Sequence, residues 1–495
     1  MTHHGPSSTA RDLGTSAQAR SQDWAEDWTR DRRTFGPLTQ DLLSQETSGR
    51  RLLIGTDLYG EAPESPARRV LNRCAEIARI SARPHGIERT YLTPQHQQHN
   101  ALAARWMRGA GLRTWVDAAG TLHGRLEAPE QAPGVPVRIL YLGSHLDTVP
   151  DAGKYDGILG VVSAIEVVSR FRRQAARLPF SLEVLAFGDE EGVRFGATLL
   201  GSRALAGTWD DAWLELADEH GTTMHQAFLD FGLDPQAVGS AALNPEQAVG
   251  YLETHIEQGP LLQEADRPLS VVTSISGARR FRITVTGEAA HAGGTPYARR
   301  RDALIGASRA VLAINAVGLA QDVVATVGEL SVIGGAVNVV PGTVEFSLDL
   351  RAPDDLSRDT AFETIRAELE ILCAEADLGL NIEQTHSAPG AVCDERLMGA
   401  VRHGIAAAEQ RAGGPAETAP MELYSKAGHD AMALAEAVPV AMVFVRCLDG
   451  ISHHPGESVR PDDVALALDA VEEAVLELAR QETSAAGVVP GPTAG

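Results

Sequence analysis

Five side chains of the kinds that bind divalent metal ions lie in short motifs spread along this chain. They are His145 in GSHLDTVP, Asp156 in GKYDG, Glu191 in GDEEG, His255 in ETHIEQGP and His453 in GISHHP. Imidazole nitrogens and carboxylate oxygens are common ligands of such ions. Two coordination shells need about seven or eight donors, and these side chains nearly supply them if one carboxylate and one water bridge the ions. The sequence therefore predicts two divalent metal ions per subunit, bridged by Asp156.

Glu190 is left over when the five ligands are assigned. A carboxylate held beside a metal-activated water, without binding the metal itself, is what a general base for water attack requires. Asp147, two residues after His145, is expected to accept the free ring N–H of that histidine and so orient it. Each motif alone also fits an ordinary surface His or acidic pair, and Asp147 also fits a loop residue that binds local backbone N–H groups.

The elements around these motifs predict that the motifs meet at one edge of a sheet. Three apolar runs have the character of buried strands, and one segment between them has helical spacing: 137–144, 181–188 and 437–447 for the strands, and 159–174 for the helix. The first two strands and the helix form a βαβ unit, so His145 and Glu190 follow neighbouring strands, and the third strand leads to His453. Ligands of open α/β sheets bind beyond the carboxyl ends of the strands.

The length of the chain exceeds what one core usually supports, which favours two domains and a tail. From about residue 269 to 382, alternating strands and helices predict an α+β domain inserted into a doubly wound α/β catalytic domain. The expected divisions are a loosely ordered N-terminal extension, the two parts of the catalytic domain, the inserted domain between them and a C-terminal tail: 1–67, 68–268, 269–382, 383–482 and 483–495.

The composition limits the partners and the compartment. The formal net charge of −23 repels nucleic acid and anionic membrane surfaces. We expect no membrane span, because no stretch approaches the roughly 18 apolar residues of a span and the N-terminus lacks an apolar signal region. The four cysteines, which are Cys74, Cys373, Cys393 and Cys447, include no C-x-x-C pair. This pattern favours a reducing compartment, and cytoplasm is the simplest placement.

Several longer motifs make the chain resemble a known family. HIEQGP, TVTGEAAHAG, AVNVVPGTVEFSLDLR, AGHDA and GISH follow the order found in the amidase, hydantoinase and carbamoylase branch of the M20-type dinuclear metallohydrolases. The resemblance extends from about Arg68 to about Leu476. It implies Glu190 as the base and two ligand sets, which are His145, Asp156 and His255 for one ion and Asp156, Glu191 and His453 for the other. Manganese or zinc is the expected metal, with cobalt or nickel also compatible.

The resemblance also assigns roles to the inserted domain. It implies a lid that forms a homodimer contact and that carries His291 into the active site of the partner subunit, where an imidazole donor would stabilise an oxyanion. Gln258, Asn338 and Arg351 are the implied substrate contacts, with the Arg351 guanidinium binding a substrate carboxylate. Their ordinary alternatives are an Asn that satisfies turn backbone and an Arg paired with a nearby acid such as Asp349.

Different members of this branch act on different small ureido substrates. Lys426 and Arg446 replace neutral residues of the common pattern and add cations near the expected pocket, which favours the compact anionic substrate of an allantoate amidohydrolase. N-carbamoyl-L-amino acid hydrolase and β-ureidopropionase are the alternatives, and both cations could instead face solvent or pair with Asp430 and Asp449. A dinuclear peptidase or deacylase is disfavoured by His255. A non-catalytic binding protein would have no need of a base.

Overall fold

A computed structural model describes residues 64–129, 136–173, 175, 178–414 and 419–487. The predicted N-terminal extension lies outside these residues as far as residue 63, as does the end of the chain from residue 488.

The strands are numbered in chain order. They are β1 (Arg113–Val116), β2 (Leu122–Leu126), β3 (Arg138–His145), β4 (Phe180–Phe187), β5 (Ala248–Ile256), β6 (Leu269–Ile275), β7 (Gly277–Thr286), β8 (Ala290–His291), β9 (Val324–Thr326), β10 (Leu330–Ile333), β11 (Val339–Val340), β12 (Thr343–Ala352), β13 (Gly379–Ala388), β14 (Ala391–Val392), β15 (Met421–Ser425) and β16 (Val440–Val445).

The α-helices are numbered in the same way. They are α1 (Pro66–Ile77), α2 (Pro94–Gly109), α3 (Ile158–Phe171), α4 (Leu200–Ala206), α5 (Met224–Phe231), α6 (Leu261–Glu264), α7 (Ala303–Gln321), α8 (Asp355–Glu375), α9 (Glu395–Arg411), α10 (Asp430–Leu434) and α11 (Pro461–Gly487). Several begin at side chains that accept a hydrogen bond from the first turn, as Ser65, Asp302 and Asp394 do for α1, α7 and α9. The last helix continues past residue 482, so part of the predicted tail is helical.

The large sheet has the strand order β1-β2-β4-β3-β5-β16-β6-β14, with β15 beside β6. Its centre is parallel, because β3 pairs in parallel with both β4 and β5, and β16 continues beside β5. Every residue of β4, β5 and β16 is buried, as expected for strands covered on both faces. The predicted α/β class and the βαβ unit β3-α3-β4 are confirmed, and the carboxyl ends of these strands share one edge.

A smaller sheet has the order β10-β12-β7-β13, with β9 beside β12. The strand β12 alternates between buried and partly buried residues, because only one of its faces packs into the core formed with α7 and α8. This sheet begins at Gly277 and ends at Ala388, and β6 belongs to the large sheet. The boundaries expected at residues 269 and 382 therefore shift, because only Ser276 separates β6 from β7 and the sequence shows no break there.

Helix α7 is long and apolar enough to cross a membrane by length and composition, which the sequence analysis overlooked. In the structure its small side chains, among them Ala307 and Ala310, pack against the smaller sheet. Its other face leaves Ile305, Leu312 and Leu319 exposed by 54%, 70% and 79%. Seven-residue spacing places these three on one side of the helix, which makes an apolar stripe on the surface of the inserted domain.

Near the β1-β2 end of the large sheet, a buried histidine lies between two carboxylates and contacts both. The His123 Nδ1 atom lies 2.6 Å from Glu183 Oε1, and its Nε2 atom lies 3.1 Å from Asp117 Oδ2. Burial alone lowers the pKa of His123, but the hydrogen bonds to Asp117 and Glu183 outweigh it and raise the pKa to about 9. The imidazole is therefore a cation that donates from both ring nitrogens.

This arrangement predicts a pH-dependent stability. Since the folded pKa exceeds the unfolded one, the stabilisation is complete below about pH 6.5 and disappears as the pH rises to about 9. We expect the free energy of unfolding to fall over this interval by an amount on the order of 3 kcal/mol. Urea unfolding followed by circular dichroism should show this fall, and His123→Gln should remove it. His220→Gln, at a histidine whose side chain is 80% exposed, is the control. Parallel pH profiles for wild type and His123→Gln would contradict the assignment.

Candidate metal centre

Asp156 lies at the centre of the site, between β3 and α3. Its Oδ1 atom is 3.1 Å from His255 Nε2 and 3.8 Å from His145 Nε2, while its Oδ2 atom is 3.1 Å from His453 Nε2. The two carboxylate oxygens thus face different imidazoles. Glu191 Oε1 lies 3.5 Å from the same His453 nitrogen. A carboxylate placed in this way can bind one ion with each oxygen.

The structure brings together all five side chains that the sequence predicted as metal ligands. They form two groups that share Asp156, and in each group the ligand atoms lie within 4.8 Å of one another: His145, Asp156 and His255, and Asp156, Glu191 and His453. Glu190 lies within the same distance of His145 and Glu191. His145 and His255 are each 1% exposed, whereas the side chain of His453 is 48% exposed. The second group is therefore the more open to solvent.

The carboxyl ends of the central strands deliver these residues. His145 is the last residue of β3, and His255 is the penultimate residue of β5. Close approach of the β3-α3 loop requires Gly157, because a Cβ atom there would lie 2.4 Å from His145 Nε2 and the residue has a φ of +71°. His453 also has a positive φ, +54°, which is uncommon for a residue with a side chain and is typical of functional loops.

Hydrogen bonds fix which ring nitrogen of each buried histidine faces Asp156. His255 Nδ1 lies 2.9 Å from the carbonyl oxygen of Ile256, and His145 Nδ1 lies 3.2 Å from that of Asp147. An Nδ1–H donor puts the lone pair on Nε2, the nitrogen that a metal would bind. In this structure His255 Nε2 also accepts from the backbone N–H of Gly157 at 3.1 Å. The Asp147 carboxylate is 3.3 Å from the same His145 nitrogen. It also accepts hydrogen bonds of 3.1 Å from the backbone N–H groups of Glu190 and Glu191, so it joins both motifs.

The electrostatics of this donor set fit cations. Burial raises the pKa of Glu190 well above its ordinary value, with opposition from His145 and a further increase from Glu191. Burial and the Asp156 carboxylate raise the pKa of Glu191 to about 7. Carboxylates gathered away from water repel one another, and divalent ions between them remove that repulsion. Oxygen and nitrogen ligands of this kind suit Mn, Zn, Co and Ni.

Two residues that the sequence did not single out hold Asp156. Ser452 Oγ donates to Asp156 Oδ2 at 2.5 Å, and Glu457 accepts from the backbone N–H groups of Tyr155 and Asp156 at 2.6 and 3.1 Å. Gln258, predicted as a substrate contact, donates to Asp156 Oδ2 at 2.9 Å and has a φ of +56°. The position of Ser452 beside His453 was an available signal, but nothing local distinguishes Glu457.

The predicted lid residues lie on the inserted domain. His291 is on β8 and pairs with Val339 of β11, and both His291 and Asn338 are exposed. His291 Nδ1 accepts from the backbone N–H of Gly294 at 2.9 Å, and the carbonyl oxygen of Asn338 accepts from Ala292 at 2.9 Å. Both hydrogen bonds join residues in or beside the small β8-β11 ribbon. Neither of them uses the His291 Nε2 atom or the Asn338 side-chain amide.

Arg351 is the penultimate residue of β12 in the smaller sheet and reaches toward the β15-α10 segment. Its Nε and Nη2 atoms donate to the two oxygens of Asp349 at 2.8 and 3.1 Å, and its Nη1 atom donates to the carbonyl oxygen of Lys426 at 2.7 Å. The pairing with Asp349 was the ordinary alternative considered for this residue. Lys426 has an exposed side chain whose Nζ atom lies 5.7 Å from the ring centroid of Tyr424.

The prediction that Arg446 adds a second cation near the pocket is wrong. It is 7% exposed, and its guanidinium donates at 2.8 Å to both oxygens of Asp463 and to Asp266. The expected alternative partner, Asp449, is also wrong. Arg446 follows a strand that is buried on both faces, so its side chain packs against the first turn of α11 and its guanidinium is buried away from a substrate.

Comparison with known proteins identifies the family of this chain. The family model described as Peptidase family M20/M25/M40 matches residues 141–477. Allantoate deiminase of Arabidopsis thaliana is 38% identical over 80% of this chain and 79% of its own. N-carbamoyl-L-amino acid amidohydrolase of Geobacillus stearothermophilus is 36% identical over 84% of this chain and 99% of its own. An amidase of the hydantoinase/carbamoylase family from Burkholderia multivorans has a TM-score of 0.74 and 33% identity, and the match covers 83% of this chain and 98% of that structure.

The fold and the site thus define a hydrolase of carbon–nitrogen bonds other than peptide bonds. The chain belongs to Peptidase family M20/M25/M40, and the resemblance to its amidase, hydantoinase and carbamoylase branch is confirmed.

The shared position of Asp156 predicts distinct metal stoichiometries. Asp156→Ala should bind neither ion tightly, because both groups lose a ligand, whereas His453→Ala should retain about one of two ions. Metal content after loading with Mn²⁺ or Zn²⁺ and gel filtration, measured by mass spectrometry, tests this. Asp151→Ala removes an acid that is 57% exposed and lies in the same loop, and it should still bind both ions. Retention of one tightly bound ion by Asp156→Ala would exclude the bridging role.

Proposed function

We propose that this protein is a dinuclear metal-dependent amidohydrolase that cleaves a ureido C–N bond of allantoate and releases ammonia. The observation that carries the proposal is the position of Asp156 between two ligand groups, with Glu190 beside His145 and outside the ligand set. His145 and His255 would hold one ion with Asp156, and Glu191 and His453 the other. The identity of the metal is proposed as Mn or Zn, with Co or Ni as alternatives.

Different side chains of the site have different roles in the proposed reaction. When bound, two divalent ions would supply Lewis acidity and lower the pKa of the attacking water. Glu190 would take a proton from the attacking water and return it to the departing nitrogen, so that the nitrogen leaves as neutral ammonia. Asp147 fixes the backbone of Glu190 and so positions this base.

Substrate binding is assigned to the lid residues and to the loop near Asp156. Arg351 would bind the substrate carboxylate, and Asn338 would bind the ureido group through an amide that both donates and accepts. Gln258, whose amide nitrogen donates to Asp156 and Ser452, would accept from the ureido group through Oε1. The relatives of this chain support allantoate as the substrate, because an allantoate deiminase and a probable allantoate deiminase of two plants are 38% and 39% identical over about four-fifths of this chain. Lys426 remains a proposed cation at the pocket edge. Hydrolysis of N-carbamoyl-L-amino acids is the second candidate, favoured by the relative that is matched over 99% of its own length.

The chain is proposed to act as a cytoplasmic homodimer. The exposed stripe of Ile305, Leu312 and Leu319 on α7 supplies an apolar surface suited to a second copy. In such a dimer the partner subunit's His291 would stabilise the oxyanion formed when water attacks. The four cysteines are free and buried, which fits a reducing compartment.

A parallel substrate assay tests the reaction. Protein stripped of metal and reloaded with Mn²⁺ or Zn²⁺ should release ammonia from allantoate faster than from N-carbamoyl-L-amino acids or N-carbamoyl-β-alanine, and should not cleave dipeptides. Glu190→Gln should bind both ions and lower kcat by about 10²- to 10⁴-fold, since it removes only the base. A variant with wild-type turnover would exclude Glu190, and preference for an N-carbamoyl amino acid would replace allantoate by the second candidate.

Subunit complementation tests the proposed role of His291. Glu190→Gln and His291→Ala should each be nearly inactive alone, the latter by about 10²- to 10³-fold. If His291 acts across the dimer, mixed dimers contain one complete site, and random mixing should restore about a quarter of wild-type activity. Co-expression with two affinity tags isolates the mixed dimer. A mixed dimer no more active than its parents would place His291 in its own subunit's site or outside catalysis.

A further inference from the structure

The loop between β15 and α10 contains a buried histidine to which the proposed reaction assigns no role. The ring of His429 is 1% exposed and lies 4.4 Å, centroid to centroid, from the ring of His255 at an angle of 65°. On another side it meets Phe444 of β16 at 5.9 Å. The imidazole of a predicted metal ligand therefore rests against a second imidazole held inside the core.

Hydrogen bonds at both ends of this loop fix His429. Its Nε2 atom lies 2.7 Å from Ser425 Oγ, which also donates to the carbonyl oxygen of Ala427 at 2.9 Å. At the other end, the backbone N–H of Ala431 donates to Glu253 Oε2 at 3.0 Å. Glu253 lies two residues before His255 on β5. The loop is thus attached to the strand that carries the metal ligand.

His429 is not placed as a ligand of a further metal ion. Glu253, His255 and His429 lie close enough together to hold one. However, Glu253 already accepts hydrogen bonds with both oxygens, from Ser144 Oγ at 2.8 Å and from Ala431, and His429 Nε2 is bonded to Ser425. Contacts of this kind are typical of residues that surround metal ligands and orient them without binding the metal.

The same loop also touches the joint between the two sheets. Ser276 is the one residue between β6 of the large sheet and β7 of the smaller sheet, and both its backbone N–H and its hydroxyl donate to the carbonyl oxygen of Ser425, at 2.9 and 2.6 Å. The next carbonyl oxygen, that of Lys426, accepts from Arg351. A shift of the smaller sheet therefore acts directly on the residue that holds His429.

We propose that His429 is a positioning residue that sets the orientation of His255 toward its metal ion, and that Ser425 and Ser276 link this orientation to the joint of the lid. The inference rests on the proposed metal centre and not on the identity of the substrate. It predicts that metal affinity depends on hydroxyl groups that do not touch the metal ligands.

Cobalt binding measures this dependence without any substrate. Ser425→Ala and His429→Phe should weaken one of the two Co²⁺ ions by about 10- to 100-fold in competition with a chelator, and should alter the visible absorption of the cobalt-loaded protein. Ser276→Ala should weaken the same ion in the same direction. Thr273→Val is the matched control, because the Thr273 hydroxyl also joins β6 to β15, through Leu423, but has no hydrogen bond to His429.

The outcomes separate this inference from the proposed function. Wild-type Co²⁺ affinity and absorption in Ser425→Ala, with an unchanged circular dichroism spectrum, would overturn the positioning role, even if His429→Phe failed to fold. Wild-type behaviour of Ser276→Ala alone would overturn the link to the joint. Equal weakening by Thr273→Val would show a general loosening of the β6-β15 contact and also overturn the inference. A wild-type protein that binds two Co²⁺ ions but cleaves no ureido substrate would refute only the function.

Discussion

The two-sided use of the Asp156 carboxylate is the constraint on which the rest of the site depends. Its oxygens face His255 on one side and His453 on the other, so its orientation must be fixed from its backbone outward. Glu457 holds its backbone N–H, Ser452 and Gln258 hold one of its oxygens, and a glycine follows it because a side chain there would collide with a ligand. These contacts come from segments about 100 and 300 residues away, so the fold must be complete before the ligand is oriented.

The same constraint concentrates negative charge in a chain that is already acidic. Burial raises the pKa of Glu190, Glu191 and Glu457, the last to about 7, and the Asp156 carboxylate adds to the shift in the latter two. A fully buried arginine, Arg89, supplies one nearby positive charge, and its Nε atom donates to the carbonyl oxygen of Leu146, between His145 and Asp147. One guanidinium cannot balance so many carboxylates. Ions that bind the folded site and not the unfolded chain therefore contribute directly to folding stability.

Much of this arrangement could be predicted from the sequence, because the ligand motifs directly follow apolar strands. The carboxyl ends of parallel strands share an edge, which brings His145, Glu191 and His453 together across more than 300 residues. Side-chain direction was less predictable. Arg446 follows a strand that is buried on both faces, so no alternation of polar and apolar residues showed which way it points, and it turned out to bind Asp463. Glu457 acts on backbone N–H groups, which leave no pattern of residue types.

Arg351 pairs with an acid of its own sheet and still keeps N–H groups that a substrate carboxylate could use. The guanidinium has five N–H groups, and three are used, two by Asp349 and one by the carbonyl oxygen of Lys426. Two N–H groups remain, one on each terminal nitrogen, and the side chain as a whole is 28% exposed. Asp349 therefore fixes the plane of the guanidinium and limits its motion, while a substrate carboxylate need not displace Asp349 in order to bind. Pre-orientation of this kind would reduce the entropy lost on binding a carboxylate, and in the proposed reaction it would tie the position of the substrate to the loop that carries His429.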